Sequence, residues 1–245
     1  GEYANHWTRP KKSWQVKFDK DTPFNGPRTL KLIIPDDRLY FAEMLNNYLA
    51  SKLGLFFPHA EFAQLYVNND YHGVYLAIED FSAEMLERNQ KPADANIYVT
   101  DDQPGLNRED FTAFDSIDYW RKQAGDALFG YENFAELDFL LARLKSDNFS
   151  RTAEDIIDID SFYNWNLVAL LAGSNHQSSW GNMRLYFNNA KVKFEFIPWD
   201  VGTKNYLPPQ LTNIIVEKTL ANPKFYLQRN QRLWNYVKDD KNLAD

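Results

Sequence analysis

The chain has 245 residues, with 44% hydrophobic and 25% charged side chains, the proportions of a folded globular protein rather than a disordered tail. Lys plus Arg is 27 against 34 Asp plus Glu, a net charge of −7, which argues against non-specific binding to nucleic acid or to an anionic membrane. Cysteine is absent, so disulfides, zinc–thiolate sites, iron–sulfur clusters and thiol nucleophiles are excluded.

Four scattered histidines (His6, His59, His72, His176) lack the spacing of a histidine zinc site and point any metal chemistry to oxygen ligands. No apolar run approaches the ~18–20 residues of a membrane span. The segment from Gly1 to Lys12 has no apolar stretch of the signal-peptide kind, and no signal peptide is expected there.

Ser13 to Phe18 alternates as a half-buried strand, with Trp14, Val16 and Phe18 on the apolar face. Turns at Asp21-Thr22-Pro23 and Asn25-Gly26-Pro27 lead to a second strand, Thr29 to Ile34. Arg38 to Leu53 reads as a helix packed through Phe41, Leu45, Tyr48, Leu49 and Lys52, ended by Gly54. Glu61–Val67 and Gly73–Ile78 form a hairpin about Asn68-Asn69-Asp70. Ser82 caps a short helix ending near Asn89, and Asn96 to Thr100 is a strand. Asp101 to Gly130, with Pro104, Gly105, Gly125 and Gly130, reads as a loop-rich insertion or hinge.

Helical spacing returns from Tyr131 to Lys145 and again, almost wholly apolar, from Ser161 to Ala172. Met183–Phe187 and Val192–Ile197 are strands joined at Asn188-Asn189-Ala190, and Asn222 to Val237 is a closing helix. The order predicts an α+β fold of two lobes. Residues 1–100 form a β-rich N-lobe, and residues 101–245 a mainly helical C-lobe with a hairpin.

There is no phosphate-binding P-loop, no dinucleotide fingerprint and no nucleophile elbow. The densest constellation runs from Gly173 to Gly202. Asn182 precedes its hairpin and Asp200 follows it, in Pro198-Trp199-Asp200-Val201-Gly202. An Asn and an Asp at the two ends of a hairpin can converge on one divalent cation, as in protein kinases. The plainer reading makes both residues turn caps, and the spacing leaves the two readings open.

The ordered set KKSWQVKF, LNNYLASKLG, LYVNNDYHGVYLAIEDF and NMRLYFNNAKVKFEFIPWD resembles the CotH kinase family, the atypical kinases named after spore coat protein H. The resemblance runs from Gly1 to about Asn205. It implies a kinase-like fold that binds ATP with Mg²⁺ (or Mn²⁺ or Ca²⁺) and phosphorylates Ser or Thr of a protein substrate. By position it implies that Lys17 contacts the phosphates and that Gly1 to Asn5, followed by Arg9, begins a phosphate-covering loop. The Ser-Ser pair of that loop is missing, and the chain starts inside the motif, as a piece lacking upstream residues would. The resemblance makes Glu79-Asp80-Phe81 the hinge that meets adenine, and Asp200 and Asn182 the metal ligands.

Glu43 is the one acid in the first helix. At ~100° per residue it lies roughly 200° from Phe41, off the predicted packed face, and is expected in solvent. The family's catalytic Asp has no acidic counterpart here: gap-free counting places Gln177 at it, beside Asn175 and His176. His176 alone of the three takes a proton near neutral pH. Three readings follow: His176 as replacement base, a pseudokinase that binds nucleotide without efficient transfer, or a histidine satisfied by its loop. Trp180 and Arg184 flank Asn182 as pocket or packing residues.

The wealth of aromatics (Trp 7, Tyr 14, Phe 18) raises a carbohydrate-binding module as a further alternative, although most fall on predicted apolar faces. A spore-coat or extracytoplasmic location is implied by the resemblance alone.

Overall fold

The structure is a computed structural model that describes residues 9–19, 21, 26–100, 112–124, 133–179, 181–202 and 213–243. It is α+β, built on two antiparallel sheets. The first contains β1 (Trp14–Lys17), β2 (Thr29–Ile33), β3 (Ala60–Val67) and β4 (Asp70–Glu79) in the order β1-β2-β4-β3. The second contains β5 (Ile97–Thr100), β6 (Trp120–Ala124), β7 (Arg184–Asn188) and β8 (Lys193–Phe196) in the order β6-β5-β7-β8.

Period-two alternation gives each strand two faces. In the first sheet Leu32, Ile34, Tyr75 and Ala77 pack together on one side. Leu76 and Ile78 face the other way and meet Ile97, Val99 and Tyr186 of the second sheet, with Phe81, Ile197 and Trp199 in the same cluster. The far face of the second sheet, through Tyr98, Leu185, Phe194 and Phe196, joins the main core with the helices. Those helices are α3 (Ala135–Lys145), α4 (Phe149–Ile156), α5 (Ile159–Leu171), α6 (Ile214–Leu220) and α7 (Pro223–Val237), while α1 (Ala42–Lys52), α2 (Ala83–Arg88) and α8 (Asp240–Leu243) complete the described set. No helix among the described residues is long and apolar enough to cross a membrane.

Local chemistry accounts for several boundaries. Asn68 and Asn69 both take positive φ (50° and 72°), the conformation a two-residue hairpin turn requires and Asn tolerates. Ser82 accepts a hydrogen bond from the Met85 N–H and caps α2. Gly54 ends α1 with φ 71°.

Four expectations are corrected. The region read as a loop-rich insertion contains β6, whose Trp120 and Ala124 are buried and whose backbone pairs with β5. Helices α4 and α6 were not expected. Trp14 is 46% exposed on edge strand β1, since the sheet leaves that strand with one neighbour.

The fourth concerns α1, where Leu49 of the expected apolar stripe packs against the main core but the N-terminal part of the stripe faces solvent. Phe41 and Leu45 are 64% and 51% exposed, whereas Glu43, Asn46 and Asn47 are buried. A 3-10 turn at Pro35–Arg38 and left-handed backbone at Leu39 and Tyr40 (φ 49° and 62°) separate the helix from the strand before it. The buried polar face is then satisfied by backbone carbonyls: Asn46 donates to the Val201 carbonyl and Asn47 to that of Pro58 at 2.9 Å. Hydrogen-bonded burial removes the cost that would otherwise keep such residues in water.

Candidate functional site

The polar face of α1 brings a charged cluster together at Asp200. Beyond β8 the chain passes through buried Trp199 to Asp200, whose φ of 50° is left-handed. A short polar side chain tolerates that conformation better than most, at a cost on the order of 1 kcal/mol or more. The carboxylate is ion-paired with the Arg38 guanidinium. Burial alone would push this carboxyl up. Arg38, then His176 and Arg184, more than offset that and hold it down at about 2, so Asp200 is ionised at any physiological pH.

Arg38 also lies 3.3 Å from the Glu43 carboxylate and stacks 5.1 Å from the centre of the Trp199 ring. Glu43 is 5% exposed, not in solvent as its place on the helix predicted. Burial pushes it up, while Arg38 and a hydrogen bond from the Asp200 backbone oppose that. Two carboxylates therefore share one guanidinium.

His176 sits on the other side of Asp200. Its Nδ1 lies 3.1 Å from the Asp200 carbonyl oxygen and 3.6 Å from Oδ1. A carbonyl only accepts, so Nδ1 is assigned the proton and, in the neutral ring, Nε2 carries the lone pair. Gln177 is fully buried: its side-chain amide donates to the Trp199 carbonyl at 2.7 Å, and its own carbonyl accepts from Asn213 at 2.8 Å. It braces the loop against the segment carrying Asp200.

A third group of charges surrounds an aromatic pair. Phe81 and Trp199 meet edge to face at 5.1 Å. Around them stand Lys31, 5.1 Å from the Trp199 centroid, and Arg184, 5.6 and 5.7 Å from the two rings. Lys31 is ion-paired with Asp80 at 2.7 Å, and Gln123 donates to the same carboxylate. Burial lowers the Lys31 pKa, with Arg184 and Arg121 acting in the same direction and Asp80 against them.

The sequence matches the family described as CotH kinase protein over residues 1–239. The chain belongs to the CotH kinase family. It is 27% identical over 197 residues to inner spore coat protein H of Bacillus subtilis (strain 168), covering 78% of this chain and 53% of that protein. The chain thus spans about half the length of that curated relative.

The positions that the CotH resemblance singled out are distributed as follows. Asp200 and His176 are together. Asn182, with φ 59°, begins the β7–β8 hairpin, and because Leu185 pairs with Phe196 it lies at the same end as Trp199 and Asp200. Lys17 is exposed on β1. Pairing of Gln15 with Lys31 and of Lys17 with Thr29 puts it on the face that carries Lys31, but at the sheet edge. Arg9 bonds Asp36 and Asp37 in the turn that presents Arg38.

Glu79 is turned inward, bonded to Arg88 and to the His59 N–H. The N–H groups of Glu79, Asp80 and Phe81 donate to the His59 carbonyl, the Thr29 carbonyl and the Asp80 carboxylate. A ligand meeting this hinge through backbone donors would have to displace one of them. Phe81 instead contributes its ring. Gly1 to Asn5 and Trp180 lie outside the described residues.

Lys31 and Arg38 were missed by sequence reasoning, Asp80 was named only as part of the hinge, and Glu43 was expected in solvent. Lys31 is legible in hindsight as a charge within the strand TLKLI, between Leu30 and Leu32. Arg38 had no such signal, and Glu43 was assigned to solvent because the stripe of apolar residues pointed to the opposite helix face.

Among the described residues no three His, Cys, Asp or Glu side chains are grouped to hold a metal. Asp200 and Asn182 are hard oxygen donors of the kind Mg²⁺ takes, and a cation there would complete its shell with water or phosphate oxygens.

Proposed function

We propose that this CotH family member binds ATP with Mg²⁺ beside the Phe81–Trp199 pair and transfers the terminal phosphoryl group to Ser or Thr of a protein substrate. The observation that carries this reading is the set of three cations, Lys31, Arg38 and Arg184, around two rings and an ionised Asp200. Planar rings offer a surface for a base, and guanidinium and ammonium groups offer charge to phosphate. Family membership and the similarity to inner spore coat protein H support the kinase-like two-lobed arrangement in this proposal.

Asp200 and Asn182 would hold Mg²⁺, which when bound offsets phosphate charge. Lys31 and Arg184 supply fixed positive charge to the phosphates, with Lys17 further out on the same sheet face. His176, oriented by its Nδ1–H bond to the Asp200 carbonyl, takes the substrate hydroxyl proton on Nε2. Phosphoryl transfer through a loose transition state depends chiefly on such positioning and charge.

A second reading, nucleotide binding without efficient transfer, is favoured by one observation: Gln177, set by gap-free counting at the position of the family's acid, is a buried brace. Thermal unfolding with ATP, with and without Mg²⁺, tests binding, and label transfer from γ-labelled ATP separates the two readings. A Mg²⁺-dependent rise in Tm that is lost in Asp200→Ala supports the site; equal shifts in both proteins would overturn it. Ligand at a hundredfold excess over Kd stabilises by ~2.7 kcal/mol.

A further inference from the structure

We infer that Arg38 is a positioning residue whose guanidinium competes with a cation for Asp200 and so couples metal binding to nucleotide binding. The inference rests on the reading that Asp200 is a metal ligand. Its own basis is the Asp200–Arg38–Glu43 arrangement.

The Arg38 guanidinium bonds Asp200 Oδ1 and lies 3.3 Å from Glu43 Oε2. A divalent cation taking the same oxygen must first move this charge. Arg38 has a place to go, because Glu43 is buried within reach and already lies 3.3 Å from the guanidinium. The residue also has little freedom to leave the site. It packs on Trp199, and its turn is fastened by Arg9 to Asp36 and Asp37, while two consecutive left-handed residues, Leu39 and Tyr40, fix the chain direction after it.

Arg38 therefore shifts between carboxylates rather than swinging out to solvent. Phosphate oxygens arriving beside Trp199 provide a second anion for the displaced guanidinium, which binds phosphate through paired N–H donors. Each ligand then lowers the cost of admitting the other, and the coupling is reciprocal. Metal alone competes with Arg38; metal with nucleotide does not.

The test is Mn²⁺ binding to the full chain, read from the loss of the free-Mn²⁺ electron paramagnetic signal, with and without ATP. Wild type should bind Mn²⁺ weakly alone and more tightly with ATP. Arg38→Gln should bind Mn²⁺ about tenfold tighter than wild type without nucleotide and lose most of the gain from ATP, whereas Arg38→Lys should fall between. Arg38→Gln removes the guanidinium beside buried Glu43 and could unfold, so the double variant Arg38→Gln/Glu43→Gln, expected to gain Mn²⁺ affinity likewise, accompanies it.

Mn²⁺ affinity in both glutamine variants within about twofold of wild type, or no binding in any variant at millimolar Mn²⁺, overturns the inference. Binding that survives Asp200→Asn in the Arg38→Gln background places the cation elsewhere and overturns the metal assignment too. A Mg²⁺·ATP thermal shift in wild type reports the nucleotide reading independently of either result.

Discussion

The Nδ1 of His176 lies 3.1 Å from the Asp200 carbonyl oxygen, so the residue proposed to hold the cation also orients the residue proposed to take the proton. This bond sets which nitrogen of the neutral ring is basic. Replacing His176 with Gln preserves a donor toward the carbonyl and removes the base. Transfer should fall by about 10²-fold or more, the usual worth of a general base, with the ATP-induced Tm shift retained. A rate within about twofold of wild type would remove His176 from the chemistry.

Asp200 and Glu43 should give stability-versus-pH effects of opposite sign, measured by denaturant unfolding without metal or nucleotide. Asp200 is held at about 2, below its unfolded value, so its contribution is present above about pH 4 and is lost as pH falls toward 2. A depression of that size is worth about 2 kcal/mol. Asp200→Asn should therefore flatten the acid limb of the profile. Glu43 is pushed up by burial, so its contribution is present at low pH and lost as pH rises past the ordinary glutamate range. Glu43→Gln should remove that loss. A Glu43→Gln profile parallel to wild type would show that Arg38 fully compensates the buried charge.

How much of this was readable from the residues divides along a physical line. Features decided by local backbone chemistry were legible: the Asn68-Asn69 turn, the Ser82 cap, the Gly54 terminus and the hairpin that sets Asn182 and Asp200 at one end. Features decided by what a face packs against were not. Phe41, Leu45 and Tyr48 have the spacing of a packed stripe, yet the structure buries Glu43, Asn46 and Asn47 because carbonyls of Val201 and Pro58 and the Arg38 guanidinium satisfy them. Periodicity reports that a helix has two faces; it does not report which one meets a polar neighbour. Lys17 and Lys31 show the same limit, sharing a sheet face but differing in distance from the edge.

That difference makes a direct comparison. Lys31 is partly buried between Asp80 and the Trp199 ring, while Lys17 stands exposed on β1. Charge-assisted bonds are worth ~1.5–3 kcal/mol where water is excluded, and exposed pairs ~0–1 kcal/mol. Lys31→Met should thus weaken ATP binding by about tenfold or more, and Lys17→Met by less than about threefold, in equilibrium titrations with Mg²⁺ present. The reverse order would move the phosphate site to the sheet edge.

Gln177 allows a sharper prediction, because gap-free counting along the CotH resemblance sets it at the position of the family's acid. Its side-chain amide donates to the Trp199 carbonyl at 2.7 Å, and the residue itself is fully buried. Gln177→Asp shortens the side chain, deletes that donor and buries a carboxylate beside the Trp199 carbonyl oxygen. Losing one buried bond and burying a charge costs about 3–5 kcal/mol. The variant should unfold at a markedly lower temperature and transfer phosphate no faster than wild type, because the lost brace also positions Trp199 and, next to it, Asp200. Gln177→Glu, which keeps the length, should be destabilised less, most mildly at acid pH where a protonated carboxyl again donates to the carbonyl. A stable, faster Gln177→Asp protein would instead identify residue 177 as the position of the base and return His176 to a loop-packing role.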